Sequence, residues 1–88
     1  MDSYEFDYSK LKGRIKEVLG TQEVYAEKIG LSRTSLSLRL SGKLEFTQQE
    51  IRKSCDVLEF EPSEIPAYFL QLKFRKLNII NKYQEYYQ

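Results

Sequence analysis

TQEVYAEKIGLSRTSLSLRLSG, residues 21–42, is the stretch whose reading decides the fold. Thr21 is placed to cap a helix, and Glu23 sits near that helix's positive end. Tyr25, Ala26 and Ile29 then fall on one face at helical spacing. Gly30 stands where this helix has to stop, and glycine reaches the left-handed backbone such a stop usually needs. Leu31 follows as an apolar plug, Ser32 caps a second helix, and Leu36 and Leu40 lie four apart on its inner side. Ala26 and Ser35 are small where two steeply crossing helices need close approach. Arg33, Thr34, Ser37, Leu38 and Ser41 are left outward, on the side of the second helix where a DNA duplex would lie. The pattern is a helix-turn-helix.

The joint spacing carries the specificity: Gln22, Ala26 and Gly30 each four apart, then Ser32, Leu36, and Gly42 closing the second helix. This stretch resembles the helix-turn-helix of phage Cro and repressor proteins and related bacterial regulators. The run on to GKLEFTQQEI is similar to small Cro-like proteins from phages of Gram-positive bacteria, and the resemblance covers roughly residues 8–69. It implies a lambda-repressor-like all-α bundle of about five helices. Val24, Tyr25 and Leu38 depart from the commoner pattern; a tyrosine at 25 is expected to fill a leucine site with its hydroxyl at the edge.

Outside the motif, Leu11, Ile15 and Val18 or Leu19 set a first helix over about 9–19, ended by Gly20. Its other face carries Lys10, Lys12, Arg14 and Lys16. Thr47-Gln48-Gln49-Glu50 reads as a capping box, with Phe46 placed to staple onto Ile51. The helix it opens runs to about Leu58 and is expected to bury Ile51, Cys55 and Leu58. Phe60-Glu61-Pro62 breaks it, Ser63 can start a fifth helix, and Pro66 fits only in that helix's first turn. Ile65, Tyr68 and Phe69 are expected to close the core. The organisation expected is an N-terminal arm over 1–8, a DNA-binding domain over 9–70 and a tail over 71–88. Tyr4, Phe6 and Tyr8 in the arm can pack over the bundle, mediate an interaction or be partly disordered.

Charge is distributed in blocks. The formal net charge is +1, but residues 1–8 carry −3, 9–43 carry +5, 44–66 carry −4 and 67–88 carry +3. A basic helix-turn-helix half beside an acidic segment would orient the domain on a polyanion. With no histidine and a single cysteine, Cys55, the chain offers neither an imidazole–thiolate zinc site, a histidine base nor an internal disulfide. Cys55 is expected in the core. An enzyme, a cofactor and a small-molecule ligand are not expected. The mean hydropathy of −0.57 and the lack of a long apolar run argue against a membrane span, and the acidic N-terminus against export, so a cytoplasmic protein is expected.

Arg33, Thr34, Ser37 and Leu38 are the candidate base-contacting residues. Arg33 suits a bidentate pair to guanine, its alternative being a phosphate contact or plain solvation. The two hydroxyls read bases weakly, and Leu38 faces either a thymine methyl or a neighbouring side chain. Thr21, Gln22, Arg39, Ser41 and Lys43 are the candidate backbone contacts; the resemblance implies that Gln22 bonds a phosphate. In the tail, Leu70, Leu72 and Phe74 alternate with polar residues as in a half-buried strand, while Leu70, Phe74, Leu77 and Ile80 also fit a helical stripe. Either form leaves apolar side chains for a second copy to cover, and some Cro proteins dimerise through a C-terminal strand. The reading is therefore a transcriptional regulator that occupies a palindromic double-stranded DNA operator as a homodimer and regulates by its own concentration. The alternative is an interaction protein of helix-turn-helix shape that binds and modulates another repressor.

Overall fold

The computed structural model describes residues 5–73. Helix α1 spans Ser9–Leu19, α2 Gln22–Ile29, α3 Arg33–Leu40, α4 Gln48–Val57 and α5 Ile65–Phe69, with a 3-10 turn at Pro62–Glu64 leading into the last. The all-α, five-helix bundle is the fold expected. Among the described residues no helix is long and apolar enough to cross a membrane.

Local chemistry sets each boundary. The Thr21 hydroxyl accepts from Val24 N, and the Ser32 hydroxyl from Ser35 N, so both helices of the motif start on a side-chain cap. Between them Gly30 is left-handed at φ 82°, while Leu31 N donates to Ala26 O and Gly30 N to Glu27 O. Those two bonds satisfy the last carbonyls of α2 and turn the chain sharply into α3. The capping box at Thr47 and Glu50 is formed in both directions. Helix α4 ends through a left-handed non-glycine residue, Glu59 at φ 58°, with Phe60 N bonded to Cys55 O. Pro66 stands in the first turn of α5, where its missing N–H leaves nothing unsatisfied.

Leu11 and Ile15 of α1, Tyr25, Ala26 and Ile29 of α2, Leu36 of α3, then Leu58, Phe60, Tyr68 and Phe69 make the core. Ile51, Cys55 and Ile65 are only half-buried and pack against it. On α4 the side chains that go fully inside are polar: Ser54 is 0% exposed and Glu50 8%. Tyr25 departs from expectation for the same reason. Its hydroxyl is not at the edge; the residue is 0% exposed, and the hydroxyl lies 2.7 Å from Ser54 Oγ. Because Ser54 Oγ donates its own proton to Glu50 O at 2.7 Å, Tyr25 is the donor to Ser54. Burial pushes the Tyr25 phenol up to about 12, with the Ser54 bond acting in the opposite direction.

Arg14 is also not part of a solvated basic face. It is half-buried, donating from Nε to Leu58 O and from Nη2 to Glu59 O, both at 2.8 Å, and so closes the end of α4 with a charge of the right sign. The arm over residues 5–8 packs on the bundle: Tyr8 is buried, its ring edge-on to Phe46 at 5.4 Å, and Phe46 is edge-on to Phe69 at 5.1 Å. Phe6 forms an antiparallel bridge with Leu72, flanked by bonds from Asp7 N to Gln71 O and from Lys73 N to Glu5 O. The chain's own arm thus pairs with residues 71–73.

Candidate interaction face

The two faces of α3 have different chemistry. Inward, Leu36 is fully buried, with Leu40 packed against the core beside it. Outward, Arg33, Thr34 and Ser37 are exposed together on the first two turns, and Arg33 Nη1 reaches Ser37 Oγ at 3.4 Å. Leu38 is half-buried at the edge of this surface rather than free on it. Its carbonyl is the anchor of the following turn: Lys43 N and Leu44 N donate to it at 2.9 and 3.2 Å, and so does Ser41 Oγ at 3.0 Å. Gly42, at φ 85°, lets the chain double back in this way. The turn holds Lys43 exposed and brings out Leu44, which is 47% exposed.

Arg39 is where the sequence reading and the geometry part. It donates from Nε to Glu50 Oε1 at 2.7 Å, from Nη2 to Glu50 Oε2 at 3.1 Å and from Nη1 to Ser35 O at 3.2 Å. Thr47 N also donates to Glu50 Oε1, at 3.0 Å. Burial alone would raise the Glu50 carboxyl, but the Arg39 and Thr47 donors outweigh it and leave its pKa below the ordinary value. Arg39 therefore faces Glu50 across the α3–α4 junction, and its fork is committed there. With Arg39 committed to Glu50 and Arg14 to the end of α4, Arg33 and Lys43 are the exposed cations that α3 and the 41–44 turn carry among the described residues.

Thr21 and Gln22 stand at the start of α2, where with Lys12, Lys16 and Gly20 they line a hollow of about 270 Å³. Thr21 spends its hydroxyl on the cap; Gln22 is half-buried. Leu70 and Leu72 lie at the opposite end of the chain, 55% and 45% exposed. Leu70 sits on the rim of an apolar groove of about 180 Å³ whose walls include Phe6, Tyr8, Phe46, Ile51 and Phe69. Phe74, Leu77 and Ile80 lie outside the described residues. Sequence reasoning missed Leu44 as a surface residue, and Glu50 and Ser54 as buried ones. The doubled Leu38 carbonyl turn sets the first and contacts between helices set the others, while the capping box gave only the local half of Glu50's role.

The model of a family described as protein of unknown function, DUF739, matches residues 4–72, the arm included. The chain belongs to that family. It is also similar to a solved structure, the modulator of repression (MOR) of the temperate bacteriophage TP901-1 from Lactococcus lactis, determined in solution. The two are 45% identical, the match covers 73% of this chain and 86% of that one, and the TM-score is 0.64. Among curated proteins, none matches.

Proposed function

We propose that this protein takes part in the control of phage repression by binding a repressor protein, and that the outward side of α3 with the 41–44 turn is its contact face. The observation that carries the reading is the 45% identity to a phage protein whose stated role is to modulate repression. The make-up of the face supports a protein partner. Half-buried Leu38 and exposed Leu44 are joined through the Leu38 carbonyl, Thr34, Ser37 and Ser41 are exposed on the same segment, and Arg33 supplies the anchor type enriched at protein interfaces. A duplex, by contrast, is held chiefly through neutralised phosphates, and Arg39, which the sequence offered for that purpose, is paired with Glu50.

A second reading, a Cro-like homodimer on a palindromic operator, is favoured by one feature: Arg33, Thr34 and Ser37 are exposed together on the N-terminal half of α3, the part that meets base edges in such proteins. In that reading Leu38 meets a thymine methyl, Thr21, Gln22, Ser41 and Lys43 meet the backbone, and Leu70, Leu72 and Phe74 hold the dimer. A titration separates the two. Labelled protein is mixed with the repressor encoded beside its gene, with the intergenic operator DNA, and with both, at two salt concentrations. Repressor binding without DNA supports the first reading. A steeply salt-dependent shift of operator alone, with no repressor complex, supports the second.

A further inference from the structure

We infer that Arg39 and Glu50 are positioning residues for this face: their ion pair sets the place of the C-terminal end of α3 and of the 41–44 turn, without either residue touching the partner. The inference rests on the reading that this face meets a repressor, but part of its test does not.

Helix α3 has only eight residues, and among them only Leu36 is fully inside. Its N-terminal end is fixed by the Gly30–Leu31 turn and the Ser32 cap. Its C-terminal end closes locally on left-handed Gly42 at φ 85°, with Gly42 N bonded to Arg39 O and Lys43 N to Leu38 O, so that end and the 41–44 turn form one unit. Beside the packing of Leu40 on the core, what ties that unit to α4 is Arg39, bonded back through Nη1 to Ser35 O within α3 and forward through Nε and Nη2 to the two carboxylate oxygens of Glu50. Glu50 is itself immobilised. Its carboxylate accepts from Thr47 N, its backbone N–H donates to Thr47 Oγ1, and its carbonyl accepts from Ser54, which Tyr25 of α2 bonds in turn. The face is thus tied through Arg39 to a junction that α2 and α4 build together.

The geometry gives the pair its sensitivity. Ser37 and Leu38 lie just before Arg39, and Ser41 N, Gly42 N, Lys43 N and Leu44 N all donate to carbonyls of residues 37–39. Movement of Arg39 therefore displaces Leu38, Lys43 and Leu44 together. Arg33 and Thr34, held by the Ser32 end, stay in place. A lysine at 39 would keep the charge but lose the planar fork that meets both carboxylate oxygens.

The variants are Arg39→Met, Arg39→Lys, Glu50→Gln and the double Arg39→Met/Glu50→Gln, each measured where a thermal melt shows it fully folded. The first measurement, amide hydrogen exchange, needs no partner. Arg39→Met should lose protection at residues 41–44 while residues 33–36 keep theirs. The second is affinity for the repressor. Arg39→Met should bind about tenfold more weakly, Arg39→Lys should recover part of the loss, and the double variant should be little worse than the worse single one, as expected for partners in one network. Glu50→Gln, which keeps an oxygen for Thr47 N, serves if Arg39→Met does not fold. Unchanged exchange at 41–44 in a folded variant overturns the positioning role whether or not a repressor binds. Changed exchange with unchanged repressor affinity overturns its part in binding. A wild-type protein that binds no repressor refutes the proposed function, and the exchange result still decides whether the pair positions the turn.

Discussion

Tyr25 and Ser54 are buried together at the junction of α2 and α4, and their removal one at a time and jointly should give strongly non-additive losses of stability. Ser54→Ala leaves the Tyr25 hydroxyl, inside a residue 0% exposed, with no partner. An orphaned buried hydroxyl costs roughly 1–3 kcal/mol. Tyr25→Phe is milder, because Ser54 still donates to Glu50 O; the loss is that of one net hydrogen bond, about 1 kcal/mol. With both changed, no unpaired donor remains from this pair, so the double variant should fall short of the sum by about 1 kcal/mol or more. Urea unfolding followed by circular dichroism reads these values directly, and in a domain of this size each kcal/mol moves Tm by roughly 4–8 °C. The phenol adds a pH limb. Folding raises its pKa from 10.0 to about 12, so the unfolded chain loses that proton first. The stabilisation is complete below pH 10 and disappears as pH rises towards the folded value, an alkaline loss of roughly 2–3 kcal/mol that Tyr25→Phe should lack. Additive single losses, or the same alkaline limb in Tyr25→Phe as in the wild type, would refute the buried pair.

Three further outcomes follow from other parts of the fold. Gly30→Ala should cost about 1–2 kcal/mol from the left-handed backbone alone, since an added Cβ would meet nothing closer than Lys53 Nζ at 3.8 Å; Gly30→Val should cost more, and a thermal melt of both checks the order. Glu59→Gly should leave stability unchanged or raise it by up to about 1 kcal/mol, because glycine relieves the positive φ at the end of α4; a clear loss of denaturation midpoint would contradict this. The folded pKa of Glu50 lies below its ordinary value, so its stabilisation is present above that value and lost as pH falls through the folded one; Glu50→Gln should be less stable than wild type at neutral pH, with the gap narrowing in acid unfolding curves.

The helices and their junctions were legible because their signals are local. Thr21, Ser32 and Thr47 each cap within three residues, and Gly30 and Gly42 reverse the chain where they stand. The polar interior was not, because it depends on which helices meet. Tyr25 and Ser54 are 29 residues apart, and neither residue type announces a buried hydroxyl pair. Arg14 and Arg39 look like surface cations by spacing, yet one closes the end of α4 and the other ties α3 to Glu50. Counting bases along the chain therefore overstates the charge free for DNA. The outward set Arg33, Thr34 and Ser37 was readable from helical spacing, whereas Leu44 required the turn that folds back onto Leu38 O. Residues 70–74 alternate as a strand does, and so does the arm, where Tyr4, Phe6 and Tyr8 alternate with Glu5 and Asp7; what the sequence does not give is that Phe6 and Leu72 bridge to each other within one chain.

The central claim is that the α3 face meets a repressor protein. Its most direct test is a calorimetric titration of the repressor encoded beside the gene into this protein without DNA, repeated with Leu44→Glu, a change at an exposed position outside the core. The account predicts a saturable complex that Leu44→Glu weakens severely while the melting curve stays where it was. Absence of heat from the repressor, together with tight binding of the operator by this protein alone, would contradict it.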